Sequence, residues 1–81
     1  MLSMQLRKLT WQSERTWNYL LCGTEKVGQV RMYEGYYSCI CYPSKDACTV
    51  EFAQGMDYAK FKVEEMFLKY IDRILISDTI I

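Results

Sequence analysis

The stretch from Met56 to Leu75, MDYAKFKVEEMFLKYIDRIL, constrains this chain more than any other. Ala59, Val63, Met66, Phe67, Tyr70, Ile71 and Ile74 recur at helical offsets, the stripe of an amphipathic helix. Lys60, Lys62, Glu64, Glu65, Lys69, Asp72 and Arg73 fall largely off that stripe. Asp57 reads as the N-cap, just after Gly55. Glu65 and Lys69 stand in the favourable i,i+4 order, and Lys69 and Arg73 suit the negative end of the helix dipole. A helix with one apolar side needs a second surface to cover it, and the rest of the chain must supply that surface.

The other segments read as a sheet. Leu6–Trp11 reads as a strand, although residues 2–9 also fit a short helix through Leu2, Leu6 and Leu9. Gln12–Arg15 is polar and reads as a turn. In Trp17–Cys22, Trp17, Tyr19 and Leu21 alternate with Asn18, Leu20 and Cys22, which predicts a strand. Gly23–Lys26 is a turn. In residues 27–33, Gly28, Val30 and Met32 alternate with Val27, Gln29, Arg31 and Tyr33. Glu34-Gly35 is a hairpin signal, and residues 36–42 (YYSCICY) form the next strand. Pro43–Asp46 turns the chain, and residues 47–52 (ACTVEF) supply the last strand. Short connections imply antiparallel neighbours. The expectation is one α+β domain over residues 1–81: an antiparallel meander of four to five strands on one C-terminal helix, about 56–75. The tail to Ile80 and Ile81 reads as an edge strand, a packed segment or a homodimer contact.

Composition narrows the function more than it names it. Eighty-one residues allow one modest core. Ten basic and ten acidic residues cancel, so the strongly basic footprint of a nucleic-acid binder is missing. The chain has no histidine, which removes the commonest general base and the commonest zinc ligand together. It shows no Gly-rich phosphate loop and no G-x-S-x-G, and Glu64 and Glu65 do not converge on one point. A non-catalytic protein without a cofactor follows as the expectation.

Cys22, Cys39, Cys41 and Cys48 offer only one C-x-C, short of the paired spacing of a structural zinc site. They are expected as thiols in the core rather than on a metal. MLSMQLRKLT has no apolar signal core, and no run approaches a membrane span, so a cytoplasmic address is the expectation.

Fifteen per cent of the residues are aromatic, more than a core this small needs, so part of that surface is free to bind. Trp11, Trp17, Tyr33, Tyr36, Tyr37 and Tyr42 are the rings that a sheet face would carry. Such a face stacks bases, with Arg7, Lys8 and Arg31 on phosphates, or docks a protein through Tyr, Trp and Arg.

Two resemblances follow. Phe52, Gly55, Ala59-Lys60 and the apolar helix after them resemble the last strand and helix of double-stranded RNA-binding domains. The basic pair of that family would fall on Met56-Asp57, neither of them basic, and its histidine-bearing loop is missing. The whole chain, a meander with a closing helix and no catalytic motif, resembles small proteins of bacteriophages and mobile elements, anti-CRISPR proteins among them. That resemblance implies a domain that binds and inhibits a host defence protein such as a CRISPR effector, inside a bacterial cell. The contacts expected at the central hairpin are Arg31, Tyr33, Glu34, Tyr36 and Tyr37. A small nucleic-acid-binding module is the alternative.

Overall fold

The computed structural model describes residues 9–80, and the side chains of residues 9–74. Five strands follow in chain order: β1 (Leu9–Glu14), β2 (Trp17–Cys22), β3 (Glu25–Met32), β4 (Tyr36–Cys41) and β5 (Ala47–Glu51). Each pairs antiparallel with the next, so the sheet order is the chain order. A 3-10 turn (Phe52–Gln54) then leads into helix α1 (Met56–Ile80). This is the expected α+β meander with one C-terminal helix.

The differences are local and physical. Gln12–Glu14 extends β1 instead of turning, because its backbone pairs with Trp17–Tyr19 and its polar side chains stay in water. The turn is confined to Arg15-Thr16, where Arg15 takes φ 52. Phe52 leaves β5 for the 3-10 turn, where the Glu51 N–H donates to Gln54 Oε1 at 3.1 Å. Asp57 lies inside the first helical turn rather than capping it. Gly55, at φ 93, accepts the first bond, from Ala59 N–H at 3.2 Å. The helix also runs past residue 75 to Ile80, so that stretch is not an edge strand. Residues 1–8, Ile81 and the side chain of Ile80 lie outside the described residues, and with them the reading of residues 2–9, the Arg7 and Lys8 contacts and the homodimer contact.

Helix α1 lies across β3, β4 and β5 on one face of the sheet. Ala59, Val63, Phe67 and Ile71 form a single i,i+4 ridge that is buried along its length. Met56, Met66 and Tyr70 flank it half-buried. Opposite stand Leu20, Cys22, Val30, Tyr37, Cys39, Cys41 and Val50.

The helix comes close because the residues at the crossing are small. A Cβ built on Gly28 would overlap Val63 Cγ1 and would sit 3.1 Å from the Ile40 carbonyl oxygen. Nearby, the Cys39 thiol donates to the Ala59 carbonyl oxygen at 3.6 Å. Burial pushes the Cys39 thiol up to about 12, with its register partner Cys48 adding to the shift. Cys22, Cys39 and Cys41 are buried core thiols, and Cys48 is half-buried.

A register shift at Leu20/Leu21 sets Gly28 opposite Leu20 and Lys26 opposite Leu21. Val27 is the extra residue of this bulge. It turns into the core instead of sharing a face with Gln29 and Arg31.

Candidate functional site

No described element covers the other face of the sheet. Period-two alternation, read through the register, decides what stands there. Glu14, Trp17, Arg31, Ser38 and Thr49 form one row across the five strands. Gln12, Tyr19, Gln29, Ile40 and Ala47 form the next. Tyr36, opposite Glu51, and Tyr33 extend the surface at the hairpin end.

The rings form a belt rather than scattered contacts. Trp17 and Tyr19 lie nearly parallel, with centroids 6.0 Å apart. Tyr33 and Tyr36 stack at 5.1 Å with planes 12° apart. The Arg31 guanidinium joins the two pairs, 4.4 Å from the Trp17 ring centre and 4.8 Å from that of Tyr33. It also donates from Nη1 to the Tyr33 hydroxyl at 3.1 Å. Lys26 Nζ lies 3.9 Å over the Tyr19 ring. Each such cation–ring contact is worth about 0.5–1 kcal/mol at a partly exposed site. Their larger effect is to hold two flexible cations flat against the sheet. At the far end Tyr42 O–H donates to Gln29 Oε1. Burial raises the Tyr42 hydroxyl above its ordinary range, and the Tyr19 phenol beside it adds to the shift.

The charges are arranged by strand. On the open face the cations Lys26 and Arg31 lie on the central strand β3, whose one carboxylate, Glu25, pairs with Cys22 at the strand's end, and the carboxylates Glu14 and Glu51 lie on the edge strands. Among the described residues the ion pairs are Lys62–Glu65 at 3.1 Å and Arg73–Asp46 at 3.8 Å. Neither Lys26 nor Arg31 has a carboxylate partner of its own in that set.

The residues singled out from the sequence separate cleanly. Arg31, Tyr33 and Tyr36 come together on the open face, with both tyrosines exposed by more than a third. Glu34 is exposed in the hairpin turn beside them. Tyr37 does not join them. Neighbouring residues of a strand point to opposite faces, so Tyr37 turns under the helix side and packs on Phe52 at 4.8 Å, 9% exposed. Trp11 is likewise on the helix side, where its indole N–H donates to Glu64 Oε2 at 2.7 Å. Tyr19 and Lys26 belong to the belt and were not among the expected contacts. The alternation of Trp17, Tyr19 and Leu21 was enough to place Tyr19, whereas Lys26 reaches it only because the bulge resets the register.

A second exposed apolar surface lies on the outer side of α1, where Phe61 and Leu68 are more than half exposed. Charged Glu64, Glu65, Lys69 and Asp72 surround it. Among the described residues no cluster of three or more Cys, Asp or Glu side chains could hold a metal ion, and no helix is long and apolar enough to cross a membrane. Comparison with protein-family models, with curated proteins and with solved structures finds no match to this chain.

Proposed function

We propose that this chain is a non-catalytic protein-binding domain whose docking surface is the open sheet face. The observation that carries the reading is the belt Lys26–Tyr19–Trp17–Arg31–Tyr33–Tyr36. Tyr, Trp and Arg are the residues that dominate binding hot spots, and these are held in place before any partner arrives. A pre-ordered side chain loses less entropy on binding than a mobile one. The resemblance to small phage and mobile-element proteins supplies the class of partner: a host protein or complex, such as a CRISPR effector, which the domain inhibits by covering a surface.

The test is site-specific photocrosslinking in bacterial cells. A photoreactive residue at Tyr36 is expected to give one dominant protein adduct that survives nuclease treatment. The same group at Leu68, on the outer side of the helix, is expected to give none. Absence of a protein adduct from Tyr36, or equal adducts from both positions, would defeat the proposal.

Nucleic acid is the second reading, because cations interleaved with rings on a sheet also suit single strands. The edge carboxylates count against it. A phosphate chain crossing the strands would pass Glu14 on one side or Glu51 on the other. Salt-sensitive binding of an oligonucleotide, weakened by Arg31→Ala, would favour this reading over the first.

A further inference from the structure

Arg31 has more preparation than a generic surface arginine. Its guanidinium lies close to two ring centres, 4.4 Å from that of Trp17 and 4.8 Å from that of Tyr33, and one of its nitrogens is fixed by the Tyr33 hydroxyl. Arginine offers five N–H donors in a planar fork, so one bond to Tyr33 leaves most of them unused. The described residues supply no carboxylate to take them. Ring contact also takes water from part of the guanidinium, which strengthens what binds at its free edge. Lys26 repeats the arrangement over the neighbouring ring, and the two rings are 6.0 Å apart.

We infer that Arg31 is the anchor of the docking surface and takes a carboxylate of the partner protein in a forked hydrogen bond, with Lys26 receiving a second acidic side chain of the same partner. The inference rests on the protein-binding reading of this face and adds the chemistry of the partner. Charge complementarity supports it: Lys26 and Arg31 on β3 have no carboxylate partner among the described residues, while the carboxylates of the face, Glu14, Glu51 and the hairpin's Glu34, lie at its margins. A partner therefore presents its acidic residues to the middle strand and neutral or basic ones to β1 and β5.

The probe is a capped heptapeptide with glutamate at two alternate central positions, titrated into the full chain and followed by NMR at Arg31 Nε–H and the Trp17 indole N–H. Its control is the same peptide with glutamine at both positions. Oligothymidylate serves as a third probe. The acidic peptide is expected to shift both signals and to bind at least tenfold more tightly than its glutamine control. Arg31→Lys keeps the charge and loses the fork, so it is expected to weaken binding about tenfold. That variant also spares the fold from a cavity beside Trp17.

Equal binding of both peptides, or an unaltered affinity in Arg31→Lys, overturns the carboxylate inference. So does a failure of the acidic peptide to shift either signal. If the Tyr36 crosslink still forms in those cases, the protein-binding reading stands without the inference. If oligothymidylate shifts the same signals and the acidic peptide cannot displace it, both fall in favour of nucleic acid.

Discussion

The closest approach of helix and sheet gives the sharpest test of the fold. Gly28 and Val63 touch where α1 crosses β3, and a methyl group on Gly28 would overlap Val63 Cγ1. Val63 is fully buried and β-branched, so its side chain has no spare rotamer to retreat into. The helix must therefore shift away from β3. Overpacking of this kind costs roughly 1–3 kcal/mol. Alanine is better suited than glycine to a strand interior by about 0.5–1 kcal/mol, which offsets part of that. Gly28→Ala is thus expected to destabilise by about 1–2 kcal/mol net. Val63→Ala removes two methyl groups worth ~0.8 kcal/mol each and leaves a void, for roughly 2–3 kcal/mol in all.

The two changes should not add. In the double variant the new methyl at 28 enters the space vacated at 63, so the pair is expected to cost no more than Val63→Ala alone. The coupling energy is then about 1–2 kcal/mol in the favourable direction. Urea unfolding of the four proteins measures it through midpoints, provided the slopes agree. For a domain this size, each kcal/mol also moves the thermal midpoint by about 4–8 °C. A neutral Gly28→Ala, or strict additivity in the cycle, refutes the claim that this contact sets the helix–sheet distance.

Three further predictions follow from the same geometry. Tyr36→Ala is expected to cost about 1 kcal/mol, because the ring gives up its stack on Tyr33, while weakening partner capture; Tyr37→Ala is expected to cost about 3 kcal/mol as a buried aromatic, and thermal melts beside the Tyr36 crosslink assay separate the two. Trp11→Phe is expected to lose about 1–2 kcal/mol with the indole–Glu64 hydrogen bond, whereas Glu64→Gln, which keeps an acceptor, should lose less; equal losses would show that packing rather than the bond is at stake. In thiol alkylation followed by mass spectrometry, half-buried Cys48 is expected to react first, while Cys39, whose pKa burial raises to about 12, stays protected until the domain unfolds; labelling of Cys39 as fast as Cys48 would mean that α1 opens readily from the sheet.

Much of the fold was legible because two periods are written plainly in the chain. The i,i+4 series Ala59, Val63, Phe67 and Ile71 lies within the helical stripe, and β2 alternates without interruption. What was not legible depended on partners distant in sequence. Gln12–Glu14 is polar and looks like a turn by itself, and only the backbone of β2 makes it a strand. Val27 carries no mark of a bulge. Tyr36 and Tyr37 could not share a face, yet which one faced the helix was set by pairing Tyr37 with Val50 and Tyr36 with Glu51. The site was legible in its rings and its arginine, and illegible in Lys26, whose reach to Tyr19 follows from that bulge.

Side-chain size explains why the helix took one face and left the other open. On β2, β3 and β4 the helix side carries Cys22, Gly28, Cys39 and Cys41 among the larger Leu20, Val30 and Tyr37, and the opposite side carries Trp17, Tyr19, Arg31 and Tyr36. A helix seated as closely as α1 needs low relief beneath it, and a methyl group at Gly28 is already too much. The ring-bearing side could not admit α1 at that distance without displacing Trp17 and Tyr19. The same small residues that seat the helix therefore assign the aromatic belt to the outside. Exposed rings are costly for a solitary domain to keep in water, and stacking among themselves and with Arg31 and Lys26 lowers that cost without removing it. A partner that covers the belt removes the remainder. It meets side chains already ordered, so binding there gains from both terms. Enlarging Gly28 acts on the seat of the helix, and Tyr36→Ala acts on the belt alone. Loss of capture in Tyr36→Ala at a stability cost of no more than about 1 kcal/mol, with capture kept in a destabilised but folded Gly28→Ala, would show that the two faces have separate work.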